Sequence, residues 1–132
     1  MGNLMRLLLD TCTFLWLCNE PEKLSKPAVS ALEQKSSERS LSFGSVWEIV
    51  LKYRTGKIPL PDAPQKWIEE QAEIQDIRFQ DLNRSVLYRS GELAADHRDP
   101  FDRILAAESL VHGLTVLSPD AFFRRLGCEV IW

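Results

Sequence analysis

The apolar run Leu7-Leu8-Leu9, closed by Asp10, restricts this chain more than any other feature. Three consecutive large aliphatic side chains leave no face for water. As a strand they must be covered on both sides, which is the situation of a parallel sheet clad with helices. The segments that follow carry the punctuation of such a fold. A short helix is predicted over Thr11 to Cys18, and Ser25-Lys26-Pro27 supplies a cap and an early proline for a helix through about Gln34. Ser36 to Arg39 reads as a polar connection and Leu41-Ser42-Phe43 as a second strand. Ser45-Val46-Trp47-Glu48 has capping-box spacing, starting a helix that runs to about Arg54 and stops at Gly56.

The prolines of Ile58-Pro59-Leu60-Pro61-Asp62 exclude regular structure there, and Pro64 opens the next helix. Ile77 to Phe79 reads as a third strand, and Asn83 caps a helix carrying Val86, Leu87 and Leu93. Asp99-Pro100-Phe101-Asp102 combines an N-cap, a proline at the first helical position and an acid two residues on, for a helix ending at Gly113. Leu114 to Leu117 is then a strand. Ser118-Pro119-Asp120 repeats the cap-and-proline pattern for a helix ended by Gly127, and Glu129 to Trp132 makes the last strand. This alternation predicts an α/β fold, a parallel sheet with helices on both faces, with residues 1–132 forming a single domain.

Mean hydropathy of −0.18 and 27% charged residues exclude a membrane-embedded or disordered chain. The net charge of −3 excludes a generally basic nucleic-acid coat, although a local basic patch would suffice for binding. Cys12, Cys18 and Cys128 show neither a CxxC pair nor Cys/His ligand spacing. They are expected to be reduced thiols packed in or near the core of a cytoplasmic protein.

Ligands of open parallel sheets bind beyond the carboxyl ends of the strands, and four acids fall at such positions. Asp10 ends the first strand, Glu48 sits early in the helix after the second, Asp102 opens the helix before a later strand, and Asp120 opens the helix after it. Each also has a structural reading. Acids in a first helical turn are favoured by the helix dipole, and Glu48 would serve the Ser45 capping box or pair with Lys52. Asp10 is the hardest to explain that way, because an unpaired carboxylate at a buried strand end needs a cation or donors. Crowded carboxylates repel one another unless positive charge balances them. With His97 and His112 the sole histidines, a nitrogen and sulfur zinc site is disfavoured, and oxygen ligands point to Mg2+ or Mn2+. A dinucleotide or P-loop glycine motif and a GxSxG elbow are all missing from the sequence.

Taken together, Leu7-Leu8-Leu9-Asp10-Thr11, Ser45-Val46-Trp47-Glu48-Ile49 with Lys52 and Gly56-Lys57-Ile58-Pro59-Leu60-Pro61, His97-Arg98-Asp99-Pro100-Phe101-Asp102-Arg103, and Leu114-Thr115-Val116-Leu117-Ser118-Pro119-Asp120 resemble the PIN-domain ribonucleases, especially the VapC toxins of bacterial VapBC toxin-antitoxin pairs. The resemblance implies a three-layer α/β/α sandwich with a central parallel sheet and Mg2+- or Mn2+-dependent hydrolysis of RNA to a 5′-phosphate and a 3′-hydroxyl. It makes Asp10, Asp102 and Asp120 metal ligands, the last directly or through water. Glu48 would join them as a catalytic residue that binds a second metal or positions the attacking water, and Ser118 would hold a ligand carboxylate or water.

The implied partners are an RNA substrate, transfer RNA among the candidates, a small antitoxin protein and a second copy in a homodimer, with no membrane. Arg98, Arg103 and Lys52, with Arg54 and Lys57, are the expected phosphate contacts; a solvated charged face is the alternative. Trp47, with Val46, Val50 and Tyr53, makes its helix apolar on more than one side, leaving a surface for the dimer mate or the antitoxin. The sequence departs from the family at Cys12 and Asp96, where relatives often carry histidine. The alternatives are a housekeeping RNA-processing nuclease and a catalytically silent module whose acids recruit a basic partner.

Overall fold

The computed structural model describes residues 5–93 and 99–132. Five strands form one parallel sheet in the order β3-β2-β1-β4-β5: β1 (Arg6–Leu9), β2 (Glu38–Ser42), β3 (Ile77–Gln80), β4 (Thr115–Leu117) and β5 (Val130–Ile131). The helices are α1 (Thr11–Asn19), α2 (Lys26–Glu33), α3 (Phe43–Arg54), α4 (Pro64–Ile74), α5 (Arg84–Glu92), α6 (Pro100–His112) and α7 (Ala121–Arg125). Central β1 is covered on both faces, as its unbroken apolar run requires. Leu7 and Leu9 pack with Phe14, Leu32, Ile49 and Trp67 from α1 to α4. Leu8 packs on the opposite face with Val86, Leu105 and Phe122 from α5 to α7. The result is the expected three-layer α/β/α sandwich.

From β1 to β3 the chain steps outward to one side, with α1 to α4 on one face of the sheet. It then returns across the other face through α5 and α6 to place β4 against the far side of β1. Crossovers of constant right-handed sense that reverse direction put their helices on opposite faces. The carboxyl ends of β1 and β4 therefore diverge into helices on opposite layers, which makes their junction the topological switch point where such sheets bind ligands.

Three local expectations are corrected. The second strand starts at Glu38 rather than Leu41, so Glu38 and Arg39 belong to the sheet and not to a connection. Their polar side chains are satisfied there: Glu38 pairs with Arg78 at 2.8 Å, and Arg39 donates to the Leu32 and Gln75 carbonyls at 2.6 and 2.7 Å.

The helix after β2 begins at Phe43, with Ser42 as its cap, accepting from the Gly44 N–H at 2.9 Å. Ser45 thus lies inside the helix, and its buried hydroxyl has no hydrogen bond among the described residues. The capping-box role of Glu48 falls with it. Because Ser42 is fully buried, Ser42→Ala should lower unfolding free energy by about 1 kcal/mol, the usual value of a lost cap. Denaturant titration would detect it, and an unchanged midpoint would remove the cap from the account of α3.

The last helix is capped by Asp120, which accepts from the Phe122 N–H at 2.9 Å, so Ser118 and Pro119 precede the cap. Among the other terminators, Gly113 ends α6 in the left-handed region at φ 67°, where a side chain would be strained. No helix among the described residues is long and apolar enough to cross a membrane.

Candidate metal and nucleic-acid site

Above the carboxyl ends of β1 and β4 lies a cleft of about 340 Å³ whose wall includes Asp10, Glu48, Asp102 and Asp120. All four acids read from the sequence are thus brought together, from four separate elements. Three reach the cleft through helix starts. Asp10 caps α1, accepting from the Thr13 N–H at 2.8 Å, Asp102 stands in the first turn of α6, and Asp120 caps α7. The positive ends of these helices favour negative charge there, which is the structural contribution expected of each acid.

The β1–β4 junction is fastened by the chain itself. The Asp10 N–H and the Thr13 hydroxyl both donate to the Leu117 carbonyl, at 3.2 and 2.9 Å. Ser118, almost fully buried, accepts from the Asp120 N–H at 3.0 Å, and its hydroxyl acts to lower the Asp10 pKa. One serine therefore stands beside two of the acids.

Asp10 is 8% exposed. Loss of hydration raises its pKa above the usual carboxylate range, against the Ser118 and Thr13 hydrogen bonds, and the charge of Asp120 adds to the rise. Glu48 is likewise buried. Its Oε1 accepts from the Thr11 hydroxyl at 2.6 Å, and its Oε2 pairs with the Lys52 ammonium one turn on. That bond is the main reason the Lys52 pKa is raised; the charges of Asp99 and Asp102 push it further.

Cys12 is corrected from core to cleft. It lies in the first turn of α1, is open to solvent, and lines the site. Loss of hydration on its inner side raises the thiol's pKa, and the charges of Asp10, Glu48 and Asp102 raise it again.

The expected phosphate contacts divide. Lys52 lines the cleft. Arg103 does not: its guanidinium donates to the carbonyls of Ser90 at 2.8 Å and Leu93 at 2.7 Å, at the carboxyl end of α5. Basic groups are drawn to such uncapped carbonyls. Arg98 falls outside the described residues, as do His97 and Asp96. Sequence reasoning overlooked Thr11 and Trp16, which also line the cleft. For Thr11 the available signal was its place directly after the strand-ending acid. Asp99 joins the same wall while capping α6, accepting from the Phe101 N–H at 2.9 Å.

The donor set fits a hard divalent cation in chemistry, since it offers carboxylate oxygens, one of them on a buried acid whose pKa is raised by lost hydration and, to a lesser degree, by Asp120. Among the described residues, no three His, Cys, Asp or Glu side chains are already gathered closely enough to clasp an ion.

A parallel sheet with an acidic cleft at its switch point defines a class of α/β proteins built to place carboxylates beside a ligand. Within that class, residues 7–127 match the PIN domain, and the chain belongs to the PIN-domain family. It is 28% identical over 121 residues to Ribonuclease VapC22 of Mycobacterium tuberculosis, spanning 91% of this chain and 88% of that protein.

Among solved structures it is similar to VapBC2 from Rickettsia felis, bound to a DNA fragment from their promoter. The TM-score is 0.69, with 16% identity over 96% of this chain and 97% of that one. DNA-bound VapBC from Salmonella typhimurium gives a TM-score of 0.67 and 16% identity, covering 96% of each chain. FitAcB from Neisseria gonorrhoeae gives 0.58 and 21%, over 94% and 95%. These likenesses show the fold.

Proposed function

We propose that the protein is a divalent-metal-dependent endoribonuclease, the toxin of a toxin-antitoxin pair. The observation that carries this reading is the meeting of four carboxylates from four elements in one cleft at the switch point. Asp10, Asp102 and Asp120 would hold the ion, Mg2+ or Mn2+. When bound, the ion offsets the repulsion among the acids, lowers the pKa of water and stabilises charge on a phosphoryl group.

The chain's own residues do the rest. The Thr13 N–H orients Asp10. Thr11 and Lys52 hold the Glu48 carboxylate facing the cleft, where it positions the water that attacks phosphorus. Lys52, with its side chain 37% exposed, meets a substrate phosphate. RNA is the substrate class by likeness to the ribonuclease relative, with transfer RNA the first to test.

The partner surface is the outer side of α3, where Phe43, Trp47 and Val50 are 43%, 53% and 41% exposed. An apolar stripe of this kind suits a small antitoxin or a second copy of the chain. The VapBC relatives support an antitoxin partner.

The purified chain should cleave RNA to 5′-phosphate ends with manganese or magnesium and stop when the metal is chelated. Calorimetry with manganese separates the alternatives, because failure to bind at millimolar metal would favour a silent binding module.

A further inference from the structure

Trp16 lies one helical turn beyond Cys12 on α1 and lines the same cleft as the acids. It is half-buried, unlike Trp67, which is 3% exposed in the core. Its indole leans on Trp132, with ring centroids 5.8 Å apart and planes at 47°, so the ring is backed from one side. The Lys23 ammonium stands 5.9 Å from the Trp16 ring centroid. Glu20, at 2.5 Å, is what holds that ammonium, and half of the Lys23 side chain is exposed. A supported aromatic ring, approached by a half-exposed lysine, thus forms part of a wall that also carries five carboxylates.

This combination selects a ligand. The carboxylates repel a bare phosphate chain wherever no cation intervenes, whereas an indole attracts any flat neutral ring, and stacking on aromatic side chains is how single strands are held without base reading. Resting on the reading of the chain as a ribonuclease, we propose that Trp16, braced by Trp132, is a stacking platform for a nucleobase of single-stranded RNA beside the scissile phosphate. Lys23 swings off the ring to meet a neighbouring phosphate. The platform accepts any of the four bases, since each has a π-face, and it favours unpaired RNA because a paired base cannot present that face.

The test compares Trp16→Phe, which keeps a π-face, with Trp16→Leu, which keeps apolar bulk without one. Thermal unfolding establishes that both are folded. Binding of a short fluorescein-labelled oligoribonucleotide, and of an abasic strand of equal length, is measured by anisotropy in a metal chelator so that no strand is cut.

Trp16→Leu should weaken binding of the base-bearing strand about tenfold or more, Trp16→Phe far less, and neither should change abasic binding. Equal behaviour of the two variants, or equal wild-type affinity for both strands, would overturn the platform. Its failure is separable from that of the nuclease reading. Base-dependent binding without manganese-supported cleavage sinks the nuclease alone; cleavage with unchanged KM and kcat in Trp16→Leu sinks the platform alone.

Discussion

Asp10→Asn should reduce RNA cleavage by on the order of 10³-fold or more while leaving the fold as stable as the wild type, or more so. The two effects have one origin. Asp10 is a buried carboxylate whose pKa is raised by lost hydration and by Asp120, so its charge is kept at a cost to stability. Asparagine preserves the cap on the Thr13 N–H, a position where Asn and Asp serve equally, and removes the charge that the proposed metal requires. Losing a group that stabilises transition-state charge costs about 10² to 10³ in rate, and losing the ion's anchor should cost at least as much. Cleavage assays beside a melting curve give both readouts. If activity survives in Asp10→Asn and again in Asp102→Asn, the carboxylate mechanism is wrong.

Glu108→Gln should stabilise the protein most at alkaline pH. Glu108 lies fully buried on α6, and neither carboxylate oxygen has a well-formed hydrogen bond among the described residues. Burial raises its pKa from 4.5 to about 7, against a small opposing pull from the Ser42 hydroxyl. Between those two values the folded chain holds a proton that the unfolded chain has released. Stability therefore falls as pH rises from about 4.5, and levels off once the folded group has ionised above about 7. The shift corresponds to roughly 3 kcal/mol across that window. Glutamine is uncharged throughout, so the variant should match the wild type near pH 5 and exceed it by roughly 2 kcal/mol or more at pH 8. Urea titrations at the two pH values would decide, and parallel losses in both proteins would exonerate Glu108.

Much of this molecule was legible locally. Asn83 and Asp99 start helices, and Gly56 and Gly113 follow their ends, where the sequence placed the boundaries, because a cap acts within three or four residues and needs no distant partner. Leu7-Leu8-Leu9 was readable as a covered parallel strand for the same reason. The misreadings share a cause as well. Ser45 and Glu48 have capping-box spacing, yet Ser42, three residues earlier, takes the cap because β2 ends there, and where β2 ends is set by its pairing with β1 and β3. Glu38 and Arg39 look like connection until Arg78 and the Leu32 and Gln75 carbonyls supply partners from far along the chain.

The four acids show the same division. Their placement at strand ends and helix starts was written in the sequence, since both signals are short-range. That they share one cleft was decided by the chain's return to set β4 beside β1, which brings the Asp10 N–H to the Leu117 carbonyl. Contacts across large sequence separations also turned Glu48 toward Thr11, 37 residues away, gave Arg103 to the end of α5, and left Trp16 facing the acids. Local preference is a matter of a single turn of backbone, whereas a side chain's direction within a packed layer depends on every element around it. The acids could thus be named from the sequence, but their meeting depended on the tertiary fold.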